Sequence, residues 1–448
     1  MIGEGHLWSD SPATGMKASF YFLPTIFLAA SSCSSQTSHF PIVPVTPVTK
    51  KVAVESVGDI DNGKVALTLS NLRSYVQRNN PNLAAARKLI DAAQGRLQKA
   101  GLRANPTVEV EFETTANLRE PFLTAGISRS FPRTNRLLLE KRVSAILVEA
   151  ARAEVADAER LLVGEAREQL IEILALREEK TLLQRQSENA QELANFINEA
   201  AERGEASLLE APTAEIEVTR IQMKAEQIQI QIDLAAAKLK PVLGLNQETE
   251  LSVAGTLPPT NLPPMMVSVP QNRPDLVAAR LRAQSASENI LLTQAESIPD
   301  YDLGVFAGLG RVEDEPEGGE FEAIAGVRFS MPLGRDPKTP GALREAHAER
   351  DRLDLTTLAL RKSITAEVRA AYGEMAQWQK LAQRIDRDLI PKARENLTQV
   401  RAAYQSGQVP LQDVLRAREQ ELSLQLTILE ARQKFHEAHS RYLTATNG

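Results

Sequence analysis

Few side chains in this 448-residue sequence have types and spacings that could do chemistry unaided. Histidine occurs as His6, His39, His347, His436 and His439, and only His436-Glu437-Ala438-His439 has ligand-like spacing. Positions i and i+3 place both rings on one face of a helix. A metal centre needs further ligands, and none lies nearby in sequence, so the pair reads as surface histidines. No glycine-rich loop ends in Lys-Ser or Lys-Thr, so no nucleotide phosphate has a cradle. No nucleophile sits beside a recognisable base. These absences point to a protein that is not an enzyme and needs no cofactor. The single cysteine, Cys33, excludes an intrachain disulfide, so its chemistry follows from its position.

Met16-Lys17, the apolar run 20–30 and Ser31-Ser32-Cys33 have the order of an export signal: a positive start, a short apolar segment, and small residues before a cut. The run is too short for a permanent membrane helix. With the cysteine at its end, residues 1–33 resemble a bacterial lipoprotein signal, in which Cys33 would carry lipid and become the mature N-terminus. Ala30 and Ser32 depart from the commonest residues of that motif. The alternative is an ordinary cleaved signal with an incidental cysteine. Met16 makes a better start than Met1, because acids precede the signal in residues 1–15. Net charge is −6 and no basic block stands out, which argues against a nucleic-acid partner.

Positioning falls to long helices and a few strands. Aromatics are 4% and charged residues 25%, a mix that suits helices with narrow apolar seams better than thick cores. Residues 34–66 read as an extended tether and the Pro-rich 246–272 as a linker, separating a first repeat, 67–245, from a second, 273–448. Asn80-Pro81-Asn82-Leu83 matches Arg273-Pro274-Asp275-Leu276 at an offset of 193, and Pro106 matches Pro299 at the same offset. Gly126 to Pro132 matches Gly326 to Pro332 at 200, and 204–211 matches 407–414 at 203. Four landmarks in one order signify internal duplication.

Each repeat reads as helix, strand pair, long helix, turn, helix. Val108, Val110 and Phe112 alternate with Glu109, Glu111 and Glu113; Leu123, Ala125, Ile127 and Phe131 follow. In the second repeat Tyr301, Leu303, Val305, Ala307 and Leu309 alternate, followed by Phe321, Ala323, Ala325, Val327, Phe329 and Met331. The period is two, and the repeat carries apolar face onto apolar face. Strands of about ten residues suit a tilted membrane barrel. One such hairpin would read as half-exposed soluble structure, but two behind an export signal favour a membrane. Four strands cannot close a barrel, and open edges are not tolerated in lipid, so several chains would have to share one. Residues 136–203 predict one helix about 100 Å long, at 1.5 Å per residue. A second helix returns over 207–243. The second repeat does the same over 341–406, where Pro391 predicts a kink, and 410–444.

This layout resembles the TolC family of outer-membrane factors over about residues 68–445. The resemblance is carried by Asn80-Pro81-Asn82-Leu83, the two strand pairs, and Tyr404 to Gly407 followed by Leu411-Gln412-Asp413-Val414-Leu415. It implies a mainly α fold of long antiparallel helical hairpins with four transmembrane β-strands per chain. It further implies a homotrimer closing a twelve-stranded barrel in outer-membrane lipid, with most of the chain periplasmic. Such a channel passively exports solutes delivered by a periplasmic adaptor protein and an inner-membrane pump. Asp413 falls on the family's acidic-ring position at the closed inner end, with Arg416 in the place of a second acid. Tyr404 falls on a gate tyrosine, and Val409 stands where an arginine partner can occur. Glu210 matches Asp413 by the internal repeat. The alternative for all three is ordinary solvated turn residues.

The compact first strand loop and Asn105-Pro106 resemble the heavy-metal efflux, CzcC-like branch. The acidic stretch 313–317 at the outer mouth would suit cations. The rival reading is a periplasmic adaptor or other helical-hairpin interaction protein; adaptors typically have one hairpin flanked by β-rich domains.

Overall fold

A computed structural model describes residues 64–114, 120–204, 207–266, 270–314, 318–334 and 336–446. Cys33, the expected signal and nearly all of the expected tether lie outside them, as do residues 315–317 of the acidic stretch.

The chain runs as β1 (Lys64–Leu67), α1 (Leu72–Asn79), α2 (Pro81–Lys99), β2 (Thr107–Glu113), β3 (Phe122–Phe131), α3 (Arg136–Glu202) and α4 (Glu210–Val242). It continues as β4 (Glu250–Val253), α5 (Pro274–Glu296), β5 (Tyr301–Asp314), β6 (Gly318–Ser330), α6 (Thr339–Arg384), α7 (Ile390–Gln405) and α8 (Leu411–Thr446). α3 is a single helix of 67 residues, about 100 Å long. Between α6 and α7 the chain does not break at Pro391. Residues Ile385–Leu389 take a π-helical turn instead. The proline lacks an N–H, and its ring crowds the preceding turn; one widened turn absorbs both problems while the helix continues.

The helical core is a seam rather than a ball. Leu170, Ile173, Leu174, Leu183 and Ile197 of α3 are buried against Val218, Ile221 and Leu239 of α4 and Leu411, Val414 and Leu422 of α8. A second cluster joins Leu276 of α5 to Ile364, Val368 and Met375 of α6 and Phe435 and Tyr442 of α8.

The two halves are tied off by equivalent devices. Asn80, only 2% exposed, caps α2 by accepting from the Leu83 N–H at 2.9 Å. Its amide also donates to the Val242 carbonyl at the end of α4, at 2.6 Å. Its counterpart Arg273, 4% exposed, donates to the Ala445 carbonyl at the end of α8, at 3.3 Å. Arg273 is neutralised by Asp275 at 3.0 Å and Glu367 at 2.8 Å. In each half the residue before the helix-starting proline satisfies carbonyls that the last helix leaves unpaired. α4 ends at Gly244, with φ +71°, and Leu245 N–H bonds back to the Lys240 carbonyl at 2.9 Å. A Cβ at Gly244 would collide with the Asn79 carbonyl, so glycine is required by conformation and by space together.

Two short strands lie where extended tether and linker were expected. β1 pairs with β4 in parallel, Val65 opposite Leu251 and Leu67 opposite Val253. The following segment, 254–266, is strapped to the helices by side chains. Glu178 accepts from Leu257 N–H at 2.9 Å, Gln379 donates to the Thr260 carbonyl at 2.7 Å, and Tyr442 hydroxyl donates to the Pro264 carbonyl at 3.1 Å. His436 Nε2 meets the Pro258 carbonyl at 2.8 Å. A carbonyl only accepts, so Nε2 carries the proton. This corrects the reading of the histidine pair as surface residues: His436 is buried beneath the strap, and Phe435 packs edge-on against its ring and stacks on His439. Burial is the main cause holding the His436 pKa down at about 4, so the ring is neutral.

Candidate functional site

The four longer strands form one sheet in the order β2-β3-β5-β6, antiparallel throughout. The sequence alternation becomes cross-strand rows. Val108, Ile127, Val305 and Val327 lie side by side, as do Val110, Ala125, Ala307 and Ala325. These rows face outward, with no described residue packed over them: Val108 is 71% exposed, Val305 55% and Val327 70%. A water-soluble sheet would bury such a face. From Tyr301 to Arg311 the strand rises about 33 Å at 3.3 Å per residue, or about 25 Å along the normal at a 40° tilt, the height of a barrel's lipid-facing band. At the helix-proximal end, Phe131 stacks on Tyr301 at 5.6 Å, and Tyr301 lies 5.7 Å from Phe329. An aromatic group at that level suits a lipid–water boundary. Among the described residues, both edges, β2 and β6, are unpaired.

At the other end lie the two helical turns. α3 leaves through Gly204 and α7 through Gly407, both with φ +75°. The turn into α8 is anchored by Leu411 and Val414, which are buried with Ala214 of α4, while Tyr404 and Ala211 pack against the same cluster. Tyr404 and Glu210, separately named in the sequence, come together here: the Tyr404 hydroxyl donates to Glu210 Oε2 at 2.8 Å. Glu210 opens α4 and Tyr404 closes α7, so the bond joins the two hairpins at their tips. Burial first, and the Glu210 carboxylate second, push the Tyr404 pKa up to about 12. Asp413 is not part of this bond. It sits in the first turn of α8, half-exposed, with Arg416 3.3 Å away on the same helix. The resemblance left Val409 as a departure with no latch to offer; the link observed runs between Tyr404 and Glu210 instead. The exposed side chains of Leu208 and Leu209 at the first tip carried no signal that the sequence reading used.

Further ion pairs hold the hairpins side by side below the tips. Arg220 of α4 bonds Glu419 of α8 at 3.2 Å, and Arg394 of α7 bonds Glu421 of α8 at 3.3 Å. No helix among the described residues is long and apolar enough to cross a membrane.

Comparison with known proteins agrees with this architecture. Residues 266–448 match the family described as outer membrane efflux protein. Over 383 residues the chain is 23% identical to the cobalt-zinc-cadmium resistance protein CzcC of Cupriavidus metallidurans, covering 82% of this chain and 85% of that one. It is 24% identical over 406 residues to the pyoverdine export outer membrane protein OpmQ of Pseudomonas putida, covering 81% and 83%. The fold superposes on CusC with a TM-score of 0.71 at 17% identity, covering 84% of this chain and 91% of that one. It also superposes on VceC of Vibrio cholerae with a TM-score of 0.68 at 18% identity, covering 85% and 96%.

Proposed function

We propose that this outer-membrane efflux channel protein, with an outer membrane efflux domain in its second half and a TolC-like fold over 84% of its length, works as one third of a trimeric conduit. The family and fold are those of channel proteins rather than enzymes. The observation that carries the reading is the four-stranded sheet with an exposed apolar face and two open edges. Lipid tolerates neither open edges nor a four-stranded barrel. Three copies joined edge to edge give twelve strands and remove every edge. The helical hairpins then continue as a periplasmic tunnel whose inner end is narrowed by the turns carrying Tyr404, Glu210 and Asp413. Cys33, if lipidated, would tether the N-terminus of each copy to the same membrane.

In this reading the conduit is passive. An inner-membrane pump supplies the energy and a periplasmic adaptor bridges to the tips, where exposed Leu208 and Leu209 offer apolar contacts. The Tyr404–Glu210 bond ties the two hairpins of one copy together and favours the closed end. Three Asp413 side chains converging there would favour cations, each moderated by its own Arg416.

We take heavy-metal cations as the cargo, supported by the likeness to a cobalt-zinc-cadmium resistance protein. A second reading, export of an organic solute, is favoured by the comparable likeness to a pyoverdine export protein. Fractionation with heat-sensitive gel mobility tests the channel: a trimer in the outer membrane is expected, and its absence would sink the reading. Loss of the gene should sensitise cells to cobalt, zinc or cadmium salts. Unchanged metal tolerance together with lost secretion of an organic solute would select the second cargo.

A further inference from the structure

The sheet face opposite the apolar one carries a network that spans all four strands. Arg328 of β6 reaches across it to β2, with Nη1 2.7 Å from Glu109 Oε2 and Nη2 3.6 Å from Glu111 Oε2. Ser128 of β3 donates to Glu109 Oε1 at 3.0 Å. The guanidinium lies 5.4 Å from the centre of the Phe306 ring on β5. Edge strands three spacings apart are about 14 Å distant along the sheet, so the face that Arg328 bridges is concave.

The floor beneath this bridge is kept low by glycine. A Cβ at Gly326 would stand 2.8 Å from the Phe306 ring, and one at Gly126 would stand 3.0 Å from Phe306 Cβ. At Gly304 it would stand 2.9 Å from Ser128 Cβ. A side chain at Gly326 would crowd the ring on which the guanidinium rests, one at Gly126 the root of that ring, and one at Gly304 the serine that bonds Glu109.

The strand phase puts Glu113, Asp302, Glu320 and Glu322 on this same face. None of the four has a cation within bridging distance among the described residues. In the described strands Arg328 is the one cation on the face.

We propose that Arg328, pinned by Glu109 and Glu111 and resting on Phe306, is the residue that moderates the negative charge of the barrel's inner wall. This rests on the trimeric channel reading. In the closed barrel three such bridges lie at one level and form a collar inside the membrane-crossing segment, separate from the turns at the periplasmic end. Each bridge leaves one net negative charge at its level, because one guanidinium faces two carboxylates. The collar therefore moderates the attraction of an otherwise acidic wall without reversing it. In a narrow pore, rings of like charge decide which sign of solute is held. A cation is passed along, while an anion meets no level at which it is favoured.

The test uses whole cells making the full chain and reagents added from outside, so the periplasmic gate does not limit them. Arg328→Cys is treated with methanethiosulfonate reagents carrying either an ammonium or a sulfonate group, and the unsubstituted chain controls for Cys33. The ammonium reagent should react several-fold faster. That ratio should fall toward unity when Glu109→Gln and Glu111→Gln are added. Glu109→Cys, which retains Arg328, should show a smaller preference than Arg328→Cys, and it serves if Arg328→Cys does not assemble. Heat-sensitive mobility is read on the same samples. If the unsubstituted chain forms no trimer, the channel reading falls and takes this proposal with it. If the trimer forms but position 328 is refractory, or labels equally with both reagents, this proposal alone is overturned.

Discussion

Replacing Tyr404 with Phe removes one hydroxyl and leaves the ring packed against the Leu411 and Val414 cluster. The lost bond, 2.8 Å to a carboxylate, belongs to the charge-assisted class worth about 1.5–3 kcal/mol when sheltered. Both partners are part-exposed, so about 1 kcal/mol per copy is the reasonable figure. If the three copies of a trimer open together, about 3 kcal/mol is withdrawn from the closed state, roughly a hundredfold in the closed-to-open ratio. Single-channel recording in a planar bilayer reads this as longer and more frequent open dwells. Thermal unfolding measured alongside should move little, because the packing is retained. Glu210→Gln keeps an acceptor and should fall between the two. Identical dwell times for Tyr404→Phe and the unsubstituted channel would refute the latch. The hydroxyl also fixes a pH signature. With the folded pKa raised from 10.0 to about 12, the bond contributes fully below pH 10 and is lost only as pH rises through about 12. Gating through this bond should therefore be flat from about pH 6 to 9.

Three further outcomes follow from the ties between helices. Asn80→Ala loses both the α2 cap and the bond to Val242 and should cost about 1–3 kcal/mol in unfolding. Asn80→Asp retains the cap acceptor but sets a buried carboxylate oxygen against the Val242 carbonyl, so it should cost at least as much. Gly244→Ala combines a left-handed backbone with a collision at the Asn79 carbonyl and should cost at least about 2 kcal/mol, seen as a lowered unfolding midpoint. His436 has its folded pKa lowered from 6.5 to about 4, so the unfolded chain binds the extra proton first. Its stabilising contribution is complete above pH 6.5 and fades toward pH 4, a loss of about 3 kcal/mol. His436→Gln, which can still donate to Pro258, should flatten that part of the pH–stability profile.

The strands and long helices were legible because each is a periodic pattern of local origin. Val108, Val110 and Phe112 declare a strand face by their own spacing, and 67 residues without proline declare a rod. The pairing of Tyr404 with Glu210 was not legible. The two residues are 194 positions apart, and no local rule brings α4 and α7 together. The same holds for Arg328 and Glu109, 219 positions apart, whose bond depends on the curvature of a sheet. β1 and β4 were invisible for another reason: four-residue strands between prolines carry too little alternation to stand out. His436 was misjudged because polar neighbours in sequence say nothing about a strap folded over the helix from 178 residues away. Pro391 correctly marked an irregularity, which takes the form of a widened turn at Ile385–Leu389.

The centre of the sheet is the pairing of β3 with β5, the second strand of one hairpin with the first strand of the next. In the trimeric reading, closing copies into a ring would join β6 to the β2 of a neighbour, which is the same kind of junction. On that reading the chain thus already contains a specimen of the interface it would make with other copies. The join is head-to-tail rather than two-fold, so it propagates until the ring closes. With two hairpins per chain, a trimer would be a pseudo-six-fold ring in which alternate seams lie within one chain.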